Sequence, residues 1–61
     1  MIDVTRMNGL PLTINADLIE SVDEVPDTVI TMTTGKRLMV KETREQIKAL
    51  VKDYKRQIFI Q

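Results

Sequence analysis

The groups able to do chemistry in this chain are few in kind. It carries nine Lys/Arg and nine Asp/Glu, with neither His nor Cys. Without His, the commonest general acid–base group is missing. Without Cys, thiol nucleophiles, disulfides and most zinc sites go too. Metal ligands would have to be carboxylates, and one acidic cluster exists: Glu20, Asp23, Glu24 and Asp27. It lacks the alternating oxygen ligands, central Gly and terminal Glu of a calcium loop, so it reads as a solvated acidic loop. Ser and Thr hydroxyls have no His to activate them. Gly9 and Gly35 each stand alone, which is no phosphate-cradling loop. A chain of 61 residues also leaves little room for a substrate pocket. The expectation is a protein without catalytic residues, cofactor or metal.

Binding chemistry remains. Residues 1–31 hold six acids against Arg6 alone, a net −5, whereas residues 32–61 hold eight bases against three acids, a net +5. Segregation of this kind points to a partner or to pairing between copies. The candidate partner-binding residues are Arg44, Lys48, Lys52, Lys55 and Arg56, a basic row placed opposite the apolar face of a C-terminal helix. Such a row can hold phosphate. However, the chain has only two aromatic residues, Tyr54 and Phe59, and Tyr54 falls on the core face, so the stacking platform of a single-strand reader is missing. A protein partner is the better expectation, and nucleic acid the poorer one.

The elements that must position these groups follow from periodicity. Ile2 to Arg6 alternates apolar and polar residues, Asn8-Gly9 is a turn dipeptide, and Leu10 to Ile14 alternates again: a hairpin of strands 2–6 and 10–14. Pro11 cannot donate a ladder bond, which places its strand at an edge. Asn15 and Asp17 suit a short helical turn or an Asx turn. Residues 18–24 read as a strand, against a helical spacing of Leu18, Val22 and Val25. Val25-Pro26-Asp27 is a loop. Thr28–Thr33 and Arg37–Lys41 are β-rich runs around Thr34-Gly35, with Ile30 and Met32 sharing a core face with Leu38 and Val40. Thr43-Arg44-Glu45-Gln46 matches a capping box, and Ile47, Leu50, Val51, Tyr54 and Ile58 recur on one helical face. The predicted fold is α+β: a single domain over 1–61, with a β-rich part (2–41) of four to five short antiparallel strands in hairpins. One amphipathic helix (43–57) and an apolar tail (58–61) complete it.

A chain this short buries only about 60% of its unfolded surface. Without disulfides or metal, self-association is the remaining stabilising device, so a homo-oligomer is expected. Ile58, Phe59 and Ile60, three apolar residues at the terminus, are the candidate oligomer contact. No apolar run exceeds three residues, where a membrane-spanning helix needs about 20, and the N-terminus has no signal-peptide pattern. A cytoplasmic protein with no membrane insertion is expected.

Beyond these patterns, the chain resembles a known family. Ile2-Asp3-Val4-Thr5-Arg6-Met7-Asn8-Gly9, Ile14-Asn15, Pro26-Asp27-Thr28, Thr34-Gly35-Lys36 and Val40-Lys41-Glu42, in that order, resemble the FlbD family of small flagellar proteins, called SwrD in swarming bacilli. The resemblance runs from Ile2 to about Tyr54, with Met7 where Leu is common. It implies a cytoplasmic accessory protein at the inner face of the membrane near the flagellar motor. That protein supports motility and swarming by promoting motor power, in contact with the stator units, with no catalysis and no cofactor. Among the matching residues, Arg6, Asp27, Lys36, Lys41 and Glu42 are those able to do more than build the fold. A fainter likeness, through Thr5-Arg6, Gly9 and Val40 to Ile47, is to the carbon-storage regulators. These are small dimeric RNA-binding proteins that control motility genes, and in them Arg44 would contact RNA. That family's Ala-Pro stretch before its last strand is replaced here by the tight turn Thr34-Gly35-Lys36-Arg37.

Overall fold

The computed structural model describes residues 1–24 and 26–59, with side chains as far as Gln57. Along the chain run β1 (Ile2–Thr5), β2 (Pro11–Ile14), one 3-10 turn (Ala16–Leu18), β3 (Ile19–Glu24), β4 (Thr28–Met32), β5 (Arg37–Val40) and α1 (Arg44–Phe59). This is the α+β fold expected. The strands, however, divide into two antiparallel sheets, β1-β2 and β3-β4-β5. Among the described residues, the isolated bridge Arg6↔Val40 joins them as backbone partners.

A side chain explains that division. The Lys41 N–H donates to the Thr5 carbonyl at 2.9 Å, continuing the bridge. The next bond of such a ladder is not made to backbone: the Thr5 N–H donates to Glu42 Oε1 at 2.8 Å instead. A carboxylate therefore stands where a strand carbonyl would be, and the chain is free to turn into the helix.

The hairpin turns at Gly9 and Gly35 have the same construction. Gly9 N–H donates to the Arg6 carbonyl and Arg6 N–H to the Leu10 carbonyl, each at 2.8 Å; Gly35 and Met32 do the same with Met32 and Lys36 at 2.8 and 2.7 Å. The glycines sit at φ +90° and +91°. A Cβ there would be strained, which is the physical content of both turn motifs. Pro11 opens the edge strand β2, opposite Thr5, as its missing donor requires.

Residues 18–24 are a strand from Ile19 onward. Asn15 caps the preceding 3-10 turn, its Oδ1 accepting from Asp17 N–H at 3.0 Å. Leu18 belongs to that turn, and its carbonyl accepts from Thr33 N–H at 2.8 Å. Val25 lies outside the described residues. In the β4–β5 hairpin, Ile30 faces Leu38 and Thr28 faces Val40, in the register that puts Ile30, Met32, Leu38 and Val40 on one face.

That face, with Ile2, Val4, Ile14 and Ala16, forms the core, and Ile47 of the helix is its keystone at 1% exposure. Leu50, Val51 and Tyr54 pack half-buried against it. The helix lies on β1 and β3. It extends past the expected residue 57 to Phe59, because no Gly or Pro stops it. Ile58 and Phe59 are thus helical rather than part of a separate tail.

Candidate protein-docking groove

The start of α1 is held by side chains from three elements. Thr43 Oγ1 accepts from Gln46 N–H at 3.1 Å, and Gln46 Oε1 accepts from Thr43 N–H at 2.8 Å: the capping box read from the sequence. Glu24, at the end of β3, accepts from Arg44 N–H at 2.8 Å. A carboxylate at that position also meets the positive end of the helix dipole. Glu42 accepts from both the N–H and the Oγ1–H of Thr5, each at 2.8 Å. Burial works to raise the Glu42 pKa, but the two Thr5 hydrogen bonds and its own backbone N–H outweigh it and hold the carboxyl below the usual carboxylate range.

Further along the helix, the picture changes. Between α1 and β3 lies an open groove of about 630 Å³, lined by Val22, Ile47, Val51, Lys48, Lys52, Lys55 and Arg56. Its floor is apolar: Ile47 is buried, and Val22 and Val51 are half-buried. Its rim is four cations. The sequence reading set these opposite the apolar face; Lys48, Lys52 and Lys55 lie along its flank, and Arg56, about 180° from Ile47, lies opposite. Successive residues rotate by about 100°, so from Ile47 the side chains of Val51, Lys55, Lys48 and Lys52 project at roughly 40°, 80°, 100° and 140°. The basic row grades into the apolar face and overhangs the groove.

The opposite wall is contributed by Val22 of β3. β3 is an edge strand of its sheet. Val22 and Glu24 pair with buried Ile30 and Thr28, so they share the face turned towards the helix. Glu20, Asp23 and Glu24 are all exposed along that strand. Among the described residues the one salt bridge is Lys48–Glu45 at 3.5 Å, within the helix. No ion pair of the described residues crosses the groove. Nor do three or more carboxylates among them gather as a metal site would.

Of the candidate partner-binding residues, the structure places Lys48, Lys52, Lys55 and Arg56 at one groove. Arg44 stands apart at the helix start, exposed, with its N–H on Glu24. The proposed oligomer contact cannot be followed in the same way: Ile60 and the side chains of Ile58 and Phe59 lie outside the described residues. Val22 as part of the groove floor, and Glu24 and Glu42 as locks, were not foreseen. Glu42 alone gave a signal, as a carboxylate next to a predicted helix start.

Elsewhere, Arg6, Arg37, Met7, Met39, Leu12 and Leu38 border another concavity beside the first turn. Met7 and Met39 are 46% and 51% exposed.

A family model described as FlbD, flagellar and swarming motility proteins, matches residues 1–59. The chain belongs to the FlbD family. Its role therefore lies in flagellar and swarming motility. No curated protein and no solved structure matches the chain. The FlbD-like motifs acquire separate physical meanings on the fold. Asn8-Gly9 and Gly35 are the two positive-φ turns, with Asn8 Oδ1 accepting from Leu10 N–H at 3.0 Å. Thr5 and Glu42 are the two halves of the seam between sheets. Among the described residues no helix is long and apolar enough to cross a membrane.

Proposed function

We propose that this FlbD protein is a non-catalytic interaction module that supports motor power, and that it does so by protein–protein contact through the groove between α1 and β3. The observation that carries the reading is the groove itself. An apolar floor flanked by a cation row of which, among the described residues, only Lys48 has an ion-pair partner is the pattern of a docking surface for protein. The family role in motility supplies the setting, and the flagellar motor with its stator units is the machinery the module serves. In this reading the protein acts on the cytoplasmic side, near the motor.

The RNA-regulator reading draws its force from Arg44 at a helix start with free N–H groups. Here the Arg44 N–H is taken by Glu24, and that carboxylate would repel a phosphate at the same place. The protein-docking reading is therefore preferred.

The test is a strain carrying Lys48→Glu, Lys52→Glu and Lys55→Glu together. Swarming is expected to fail although filaments are assembled in normal number and the purified variant keeps its helix by circular dichroism. A folded triple variant that swarms like the parent removes the groove from the function. Altered filament numbers would move the role to expression or assembly.

A further inference from the structure

The groove takes its character from one helix. Ile47 and Val51 form an apolar seam, Lys48, Lys52 and Lys55 stand beside it, and Val22 of β3 closes the far side. Arg56 lines the same groove, and no acidic residue does. In paired helices, cations next to an apolar seam meet the acidic residues of the facing helix. We infer that the groove takes an acidic amphipathic helix of a protein partner, laid along α1 with its apolar face on Val22 and Val51 and its carboxylates against Lys48, Lys52 and Lys55. The inference rests on the docking reading of the groove and names the chemistry of its occupant.

The sign follows from charge complementarity. Among the described residues the one ion pair of this row is Lys48–Glu45, exposed and 3.5 Å long. Asp23 follows Val22 on the strand and so faces away from the groove. Glu24 is engaged at the helix start by the Arg44 N–H.

The shape follows from spacing. Lys48, Lys52 and Lys55 rise by about 6 Å and then about 4.5 Å along α1. Carboxylates four and three residues apart on a second helix repeat those steps. Same-face residues of a strand recur about every 6.7 Å, so the third falls about 3 Å out of register. An acidic strand would also add to the free edge of β3, setting its carboxylates beside exposed Glu20, Asp23 and Glu24. A flat anionic bilayer would reach the cations but not the floor, where Ile47 is 1% exposed and Val22 and Val51 are half-buried.

The probe is a synthetic amphipathic peptide of about four helical turns, with a leucine seam flanked by glutamates four and three residues apart. Its companions are the same residues in scrambled order and a version with lysine in place of each glutamate. Each is titrated into the full chain and followed by NMR at the Val22 and Val51 methyl groups. The glutamate helix is expected to bind saturably, to shift both valines, and to bind about tenfold or more tighter than either companion, weakening as salt rises. In Lys48→Glu/Lys52→Glu/Lys55→Glu the preference should reverse, the lysine helix binding in place of the glutamate helix. That reversal also shows that the variant is folded. Absent binding overturns the inference, as does a preference that does not reverse. Equal binding of the scrambled peptide overturns it too, because charge alone then suffices. Phosphatidylglycerol vesicles that co-sediment with the wild type but not with the triple variant, while the glutamate helix stays unbound, give the groove to a membrane instead.

Swarming separates this outcome from the docking reading. If the glutamate helix does not bind and the triple variant still fails to swarm, the groove takes a partner of other chemistry and the docking reading stands. If the peptides behave as expected while the triple variant swarms normally, the acidic-helix site stands and its role in motility falls.

Discussion

The two halves of α1 use charge in opposite ways. At its first turn, two acidic side chains from outside the helix are engaged: Glu24 on Arg44 N–H, Glu42 on Thr5. Those carboxylates join β1, β3, β5 and α1 at one junction. From Lys48 to Arg56, the cations overhang the groove, and among the described residues only Lys48 has an ion-pair partner. Charge at the junction builds the fold, whereas charge along the flank is, apart from the Lys48–Glu45 pair, unengaged among the described residues. The lesson is that a residue's sign and exposure do not reveal its role. Glu24 and Glu20 are both exposed glutamates of one strand, yet only Glu24 is structural.

The contrast can be broken at several points. The largest effect should come from Ile47, the residue that anchors both halves of the helix to the core. Ile47→Ala is expected to cost about 2–5 kcal/mol. Against the roughly 3–9 kcal/mol expected of a domain this size, that leaves much of the chain unfolded. Urea denaturation followed by circular dichroism measures it.

Next comes the seam. Glu42→Ala removes the acceptor for two Thr5 donors and should cost about 1.5–3 kcal/mol. This loss carries a pH signature. The folded Glu42 carboxyl lies below its ordinary pKa, so the unfolded chain takes up a proton first as pH falls. Its stabilisation is complete above the ordinary carboxylate range and disappears as pH drops through the lowered folded value. The stability gap between wild type and Glu42→Gln should therefore narrow in acid and be constant near neutrality. A gap that does not change with pH would mean that the charge of Glu42 is not what holds Thr5.

A smaller loss is expected at the cap. Thr43→Ala leaves the Gln46 N–H without its acceptor and should cost about 1 kcal/mol, with Thr43→Ser close to neutral. The smallest effect on stability belongs to the flank. Lys48→Glu/Lys52→Glu/Lys55→Glu breaks only an exposed i,i+3 pair and should change the stability of the isolated chain by no more than about 1 kcal/mol, measured under dilute conditions. A flank variant that melted like Ile47→Ala would erase the distinction between the two halves of the helix.

Much of this architecture was legible in the residues. Two turns that need positive φ can be read from Asn8-Gly9 and Thr34-Gly35, because only glycine enters that region cheaply. A capping box spans four consecutive residues, so its partners are named by spacing alone. Alternation in Ile2–Thr5 and Thr28–Met32 placed the buried faces correctly, and the helical face through Ile47, Leu50, Val51 and Tyr54 followed from its 3.6-residue period. Even the four cations of the groove could be grouped in advance, since they share one helix.

Other features needed the folded chain. Thr5 and Glu42 are 37 positions apart, and Glu24 and Arg44 are 20 apart, so no local pattern announces their bonds. The split into two sheets depends on that first contact, because a side-chain oxygen there replaces a strand carbonyl. The direction of the basic row was also misjudged from the sequence. A helical wheel ranks residues around an axis but does not say where the neighbouring strand ends, and it is the edge of β3 that turns an exposed flank into one wall of a groove. By itself the sequence determined the local elements and the separation of charge along the chain, since both are set by residues within one or two turns of each other. Only tertiary structure decided which charges are engaged and which stand free, because that depends on how distant segments meet.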